Sequence, residues 1–341
     1  MESRELVKRT LEFRNPERTP RHIWMLPWAA DHYPQAVEAL RRDFPDDIVN
    51  APSFLQQTPH TTGDTYAVGT YVDEWGCIFE NRQKGVIGEV KEPMISTWDD
   101  ADRLRLPEAM LSVDREQVNR FCAQADQFVM AGCCPRPFER LQFLRTSENV
   151  FIDIAENGSE MQALLARVHD FYLKEMEVWA STDVDGMMFM DDWGSQRSLL
   201  ISPRSWRRLF KPLYQAYIDL AHHHGKFIFM HSDGYILDIL PDLVEMGLDS
   251  VNSQLFAMDI EKIGEQFAGK ITFWGEIDRQ YLLSFGSRDE VAAAVRRVRR
   301  ALRRDGGVIA QCEFGAGAKP ENVVQVFQTW QELDQAADNG I

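Results

Sequence analysis

Two short stretches of this 341-residue sequence carry side chains suited to chemistry: His231–Ser232–Asp233–Gly234 and Gln311–Cys312–Glu313–Phe314–Gly315. Each follows directly on an apolar run. A neutral imidazole, a carboxylate and a thiolate from His231, Asp233 and Cys312 can form a three-ligand zinc site that keeps one position open. The same residues have plain structural uses: a histidine closes a strand, an aspartate caps the next helix, and a lone cysteine packs as a small apolar side chain. Other apolar runs end similarly, in Asp191–Asp192–Trp193–Gly194, near Asn252 and Gln254, and in Trp274–Gly275–Glu276–Ile277–Asp278. Asp191, Asp192, Glu276 and Asp278 are candidates to orient a substrate or shuttle a proton. Glu276 is also a candidate oxygen ligand. Trp28, Trp193 and Trp274 are candidate walls for a flat or cationic substrate, with Asn252 and Gln254 as amide contacts. His222–His223–His224, by contrast, closes a long helical pattern before Gly225, where cations favour a helix C-terminus. The adjacent Cys133–Cys134 lacks metal-ligand spacing and reads as structural.

These residues need a scaffold that gathers the ends of separate strands. Candidate strands fall at 22–28, 48–52, 127–132, 185–190, 226–230, 249–252, 271–275 and 307–311. Helical patterns follow at 158–180, 203–224, 236–246, 259–268, 288–304 and 320–335. Ser202–Pro203 supplies an N-cap and a first-turn proline, and Pro320 opens the last helix. Eight short strands alternating with helices predict a parallel α/β sheet, and eight is the number that closes a (β/α)8 TIM barrel. An open doubly wound sheet would favour a glycine-rich phosphate turn after the first strand. Here Pro27–Trp28–Ala29–Ala30 follows it, which favours the barrel. Residues 57–98 alternate apolar and polar positions around turn signals, the pattern of a β-hairpin insertion after the second strand. The whole chain, 1–341, reads as a single barrel domain, with chemistry expected at the C-terminal ends of the strands.

Composition narrows the function. The net charge is −16 and the pI is near 5.0, which argues against nucleic acid or an anionic membrane as partner. No apolar run approaches a membrane span, and the charged start MESRELVKRT lacks a signal-peptide core. Five scattered cysteines, Cys77, Cys122, Cys133, Cys134 and Cys312, do not form a disulfide framework. A cytoplasmic enzyme with reduced thiols is expected.

Taken together, several segments resemble the uroporphyrinogen decarboxylase superfamily. They are Glu5–Leu6–Val7–Lys8–Arg9, Asn15–Pro16–Glu17–Arg18–Thr19–Pro20, Asp73–Glu74–Trp75–Gly76–Cys77, Pro137–Phe138–Glu139 with Leu144–Arg145, the run from His231 to Gln254, Gly275–Glu276–Ile277–Asp278, and Pro320–Glu321–Asn322–Val323. Their order and spacing carry the resemblance across most of the chain. It implies a (β/α)8 barrel. The stretch from Arg21 to Leu26 lacks the arginine-rich motif by which true uroporphyrinogen decarboxylases grip propionates. The similarity is closer to the cobalamin-dependent methyltransferase branch, whose zinc site takes the form His-x-Cys with a distant Cys. That last Cys lies nine residues before a Glu, as Cys312 lies before Glu321. His231 takes the histidine place, and Asp233 stands where the family has cysteine, which makes the site harder.

The resemblance therefore implies a zinc-dependent methyltransferase-like enzyme, with His231, Asp233 and Cys312 as ligands. It would move a methyl group between a small methylated substrate, of the methoxy-aromatic or methylamine type, and a corrinoid (cobalamin-type) cofactor held by a partner protein. A metal-independent decarboxylase or lyase is the alternative within the superfamily. A catalytically silent small-molecule-binding barrel is the alternative outside enzymology.

Overall fold

The computed structural model describes residues 1–338. Among them the strands are β1 (Arg21–Met25), β2 (Ile48–Asn50), β3 (Gly69–Val72), β4 (Ile78–Asn81), β5 (Glu89–Glu92), β6 (Phe128–Met130), β7 (Gly186–Met190), β8 (Phe227–Ser232), β9 (Ser250–Ser253), β10 (Thr272–Trp274) and β11 (Val308–Phe314). Eight of them form one parallel sheet in the order β1-β11-β10-β9-β8-β7-β6-β2. With helices around it, this is the expected (β/α)8 barrel. The candidate strand 22–28 stops at Met25. Pro27 then opens the short helix Pro27–His32, because proline lacks an N–H for the ladder and suits a first helical turn. Trp28 therefore sits on a helix. The expected helix 203–224 is two, Pro203–Leu209 and Lys211–His223, meeting at Phe210 just before Pro212.

The pleat divides each strand between two environments. Phe128, Met130, Phe229, Trp274 and Ile309 fill the barrel with Val7 and Leu11 of the first helix, Ser3–Leu11. That helix is tied on by Arg4 and Lys8, which pair with Asp185 at 3.0 and 2.7 Å. The alternate residues, among them Val129, Met187, Phe189, Ile228, Met230, Val251 and Ala310, pack outward against the helices.

The seam between β1 and β2 is closed largely by side chains. One backbone hydrogen bond crosses it, from Asp47 N–H to the Arg21 carbonyl at 2.8 Å. The Asp46 carboxylate accepts from Ile23 N–H at 2.6 Å, and that of Asp47 accepts from Arg21 N–H at 2.8 Å. Arg18 adds two hydrogen bonds to Asp47.

The insertion after β2 is a three-stranded antiparallel sheet, β3-β4-β5. Its β3–β4 turn is shaped by Asp73, whose Oδ1 accepts from Trp75 and Cys77 N–H. Buried Arg140, on helix Pro137–Arg145, donates to Asp73 and Glu74 and so fastens the insertion to the barrel. No described helix is long and apolar enough to cross a membrane.

Burial pushes Asp46 up to about 7, partly countered by the Ile23 hydrogen bond. The folded chain then holds this proton more tightly than the unfolded one. The contribution of Asp46 to stability is full below about pH 4 and is lost as pH rises toward 7. Asp46→Asn keeps the acceptor for Ile23 and removes that loss. The variant is expected to gain on the wild type between pH 4 and 7, by at most about 4 kcal/mol, and to stay level above. Urea unfolding across that range measures it.

Candidate active site at the barrel mouth

The loops after β7 and β8 touch backbone to backbone. A Cβ on Gly194 would lie 2.2 Å from Tyr235 N, and one on Gly234, at φ +76°, would lie 2.1 Å from Gly194 O. Glycine at both positions lets Gly194 N–H donate to Asp233 O at 3.0 Å. Asp233 N–H in turn donates to Asp192 Oδ1 at 2.9 Å. The close approach therefore brings two carboxylates together beside the end of β8.

His231, at that end, points inward. Its Nδ1 is 2.6 Å from Asn252 Oδ1, while the Asn252 amide donates to the Trp274 carbonyl. With the amide nitrogen so engaged, Asn252 presents its oxygen, and His231 Nδ1–H donates to it. The Nε2 lone pair then faces Asp192 Oδ1 and Asp233 Oδ1, each at 3.6 Å. A proton on Nε2 would be too far from either oxygen for a hydrogen bond. Asp233 Oδ1 is buried and has no hydrogen-bond partner among the described residues. Three lone pairs thus converge. Asp192, His231 and Asp233 are, among the described residues, the one group of three such side chains whose ligand atoms all lie within 4.8 Å of one another. Ligands on one tetrahedral zinc lie roughly 3.4 Å apart, so the donor set fits a divalent cation. Fixing the imidazole through its far nitrogen is also how metal-bound histidines are oriented.

Cys312 does not join this group. On β11 the inward positions are Ile309, Gln311 and Glu313, and Cys312 alternates outward beside its register neighbour Ile23. Burial raises its thiol well above the ordinary range. Asp192 stands where the sequence pattern suggested a thiolate.

Glu313 instead reaches the mouth. Arg279 donates to its carboxylate at 2.8 Å and to Asp233 Oδ2, and its Nε lies 3.3 Å from Glu276. Burial opposes the Arg279 charge, but Glu276, Asp233 and Glu313 raise it above its usual value. Burial also pushes Glu276 up to about 8, against the pull of Arg279. Glu276, Asp278, Arg279 and Gln254 line a pocket of about 130 Å³. Asp278 also shapes its own loop, accepting from Gln280 and Tyr281 N–H. Gln254 accepts from Gly234 N–H.

Three other candidates have structural placements. Asp191 points away from the barrel axis and accepts from Phe138 N–H, Glu139 N–H and the Tyr214 hydroxyl. It caps helix Pro137–Arg145. Trp193 is fully buried, stacked on Phe138 at 4.1 Å with its Nε1–H donated to Tyr214. Trp28 stacks on His32 at 4.2 Å. Trp274 forms the floor with Trp24 and His22, whose imidazole burial lowers to about 4. In the histidine triplet, His222 pairs with Asp249 and His224 with Glu177. Arg279 escaped the sequence reading, and Glu313 was named there at a strand end without a role. Strand parity around Cys312 was the signal available for Glu313, and Arg279 lies one residue beyond Asp278.

The family model of uroporphyrinogen decarboxylase (URO-D) matches residues 70–333. Among solved structures, the chain is similar to a methyltransferase from Methanosarcina mazei, with TM-score 0.64 and 16% identity over 98% of this chain and 99% of that one. At that identity the likeness speaks for the fold. No curated protein matches the sequence.

Asp191→Ala leaves two helix N–H groups and a buried tyrosine hydroxyl without an acceptor. It is expected to cost about 2–4 kcal/mol, read as a lower urea midpoint at pH 7. A catalytic Asp191 would instead lose activity at unchanged stability.

Proposed function

From the premise that this chain belongs to the uroporphyrinogen decarboxylase (URO-D) family, we propose that its barrel mouth moves a methyl group between a small methylated substrate and a corrinoid carried by a partner protein. The substrate is of the methoxy-aromatic or methylamine type. The observation that carries this reading is the His231 Nε2 lone pair turned toward Asp192 and Asp233, with Asn252 behind it. These three side chains would hold zinc, which when bound supplies Lewis acidity toward the substrate heteroatom. Imidazole with two carboxylates makes a harder set than thiolates, suited to oxygen or nitrogen. Similarity in fold to a methyltransferase is consistent with this reading.

The remaining groups have definite tasks. Asn252 fixes the His231 ring so that Nε2 stays an acceptor. Arg279 draws Asp233 Oδ2 to one side and leaves Oδ1 toward His231. When the methyl group departs, its bonding pair stays on the heteroatom, which then takes up a proton. Glu276, still protonated near neutral pH because of its burial, is placed in the adjoining pocket to give it. Trp24, Trp274 and His22 close the site from below. The partner would approach over the loop after β10, where Tyr281 and Phe285 stand 56% and 70% exposed.

A metal-independent decarboxylase or lyase is the second reading, favoured by Arg279. Its guanidinium already gives Asp233, Glu276 and Glu313 a counter-charge.

Elemental mass spectrometry of the purified protein separates the two. Methyl transfer predicts stoichiometric zinc, lost in His231→Ala and reduced at least tenfold in affinity in Asp192→Ala, but retained in Cys312→Ala. Protein that takes up no zinc on reconstitution, yet turns over a substrate, overturns the first reading in favour of the second.

A further inference from the structure

A cavity of about 490 Å³ lies between the insertion sheet and the barrel, apart from the Arg279 pocket. That volume suits a small molecule. Six aromatic side chains line it: Tyr71, Trp75, Phe79, Phe143, Phe171 and Tyr172. Four carboxyl groups, from Asp73, Glu74, Glu139 and Glu175, share it with two guanidinium groups, from Arg136 and Arg140. Arg140 is fully committed. It serves Asp73, Glu74 and the Tyr172 hydroxyl and lies over the Trp75 ring at 4.8 Å. Arg136 faces Glu139 at 3.7 Å.

Glu175 is left over. It projects from helix Ser159–Ala180, is 4% exposed, and makes no hydrogen bond or ion pair with any described residue. A buried carboxyl without a partner is costly unless it is protonated or meets a cation. Burial pushes it up to about 8, with Glu74 adding to the effect and the charges of Arg140 and Arg136 only partly countering it.

We propose that this cavity binds an organic cation, an alkylated ammonium, with Glu175 as its counter-charge and the aromatic walls around its alkyl groups. Aromatic faces attract such cations electrostatically and cover their apolar surface. The excess of acid over guanidinium selects against an anion. Glu139, on the cavity wall, lies near enough to Asp192 and His231 to feel their charges. That the cation is a methyl donor rests on the methyl-transfer reading; that a cation binds here does not.

Isothermal titration with tetramethylammonium chloride, and with tert-butanol as a neutral comparator, tests the proposal on the wild type, Glu175→Gln, Glu175→Asp and His231→Ala. Saturable cation binding is expected, at least about tenfold tighter than tert-butanol. It should weaken about tenfold in Glu175→Gln and persist in His231→Ala. Cation binding no tighter than that of tert-butanol, or equal in Glu175→Gln and wild type, overturns the proposal. If circular dichroism shows that Glu175→Gln does not fold, Glu175→Asp decides in its place: weaker binding supports the proposal and unchanged binding overturns it. A protein that binds the cation but holds no zinc keeps this inference and loses the methyl-transfer mechanism. One that holds zinc but not the cation does the reverse.

Discussion

The two-residue period of a β-strand governs everything at the mouth of this barrel. Each strand delivers one set of side chains to the axis and the other to the helices, and a shift of one position exchanges them. On β8 the period sends His231 inward and Ser232 outward. On β9 it brings Asn252 beneath His231. On β11 it presents Gln311 and Glu313 and turns Cys312 toward Ile23. The chemistry available is therefore that of an imidazole among carboxylates, and the thiol is spent on packing.

Strand ends alone would leave the carboxylates scattered. Two glycines join them, because the chain after β7 and the chain after β8 can meet only where neither residue has a Cβ. Arg279 then balances the acids that the barrel gathers. Asp233 consequently serves two charges at once, one oxygen toward Arg279 and the other toward His231. The insertion adds a second region on the side of the barrel. There four carboxyl groups meet two guanidinium groups, and Glu175 is the one left without an ion pair among the described residues.

Much of this architecture was legible in the sequence. All eight barrel strands fell where apolar runs sit between turn signals, and the insertion announced itself by alternation. The make-up of the polar cluster at the mouth was less legible. Spacing placed His231 and Asp233 correctly side by side, but motif position cannot report which way a residue points, and so it favoured Cys312. Asp192 was seen as an acid at a strand end; its nearness to His231 depends on the Gly194–Gly234 contact, which involves residues 40 apart. Asp191 and Trp193 flank it and look equally functional in sequence. Their side chains nevertheless leave the barrel, Asp191 to cap a helix and Trp193 to pack on Phe138. Asn252 was read as a substrate contact, whereas its carbonyl is engaged with the histidine ring. Arg279 drew no notice because a cation after an acidic turn is commonplace until the fold sets three acids around it.

The floor of the site has one further consequence. The Trp24 ring lies 5.1 Å from the His231 ring and 5.1 Å from Trp274. An indole excited state responds to nearby charge, and here two indoles, Trp274 buried and Trp24 partly buried, sit just below the polar cluster. Any event that alters the charge on the imidazole, or orders the carboxylates above it, would alter their emission. The barrel thus carries a built-in optical reporter beside the polar cluster at its mouth, readable without a label or a chromogenic substrate.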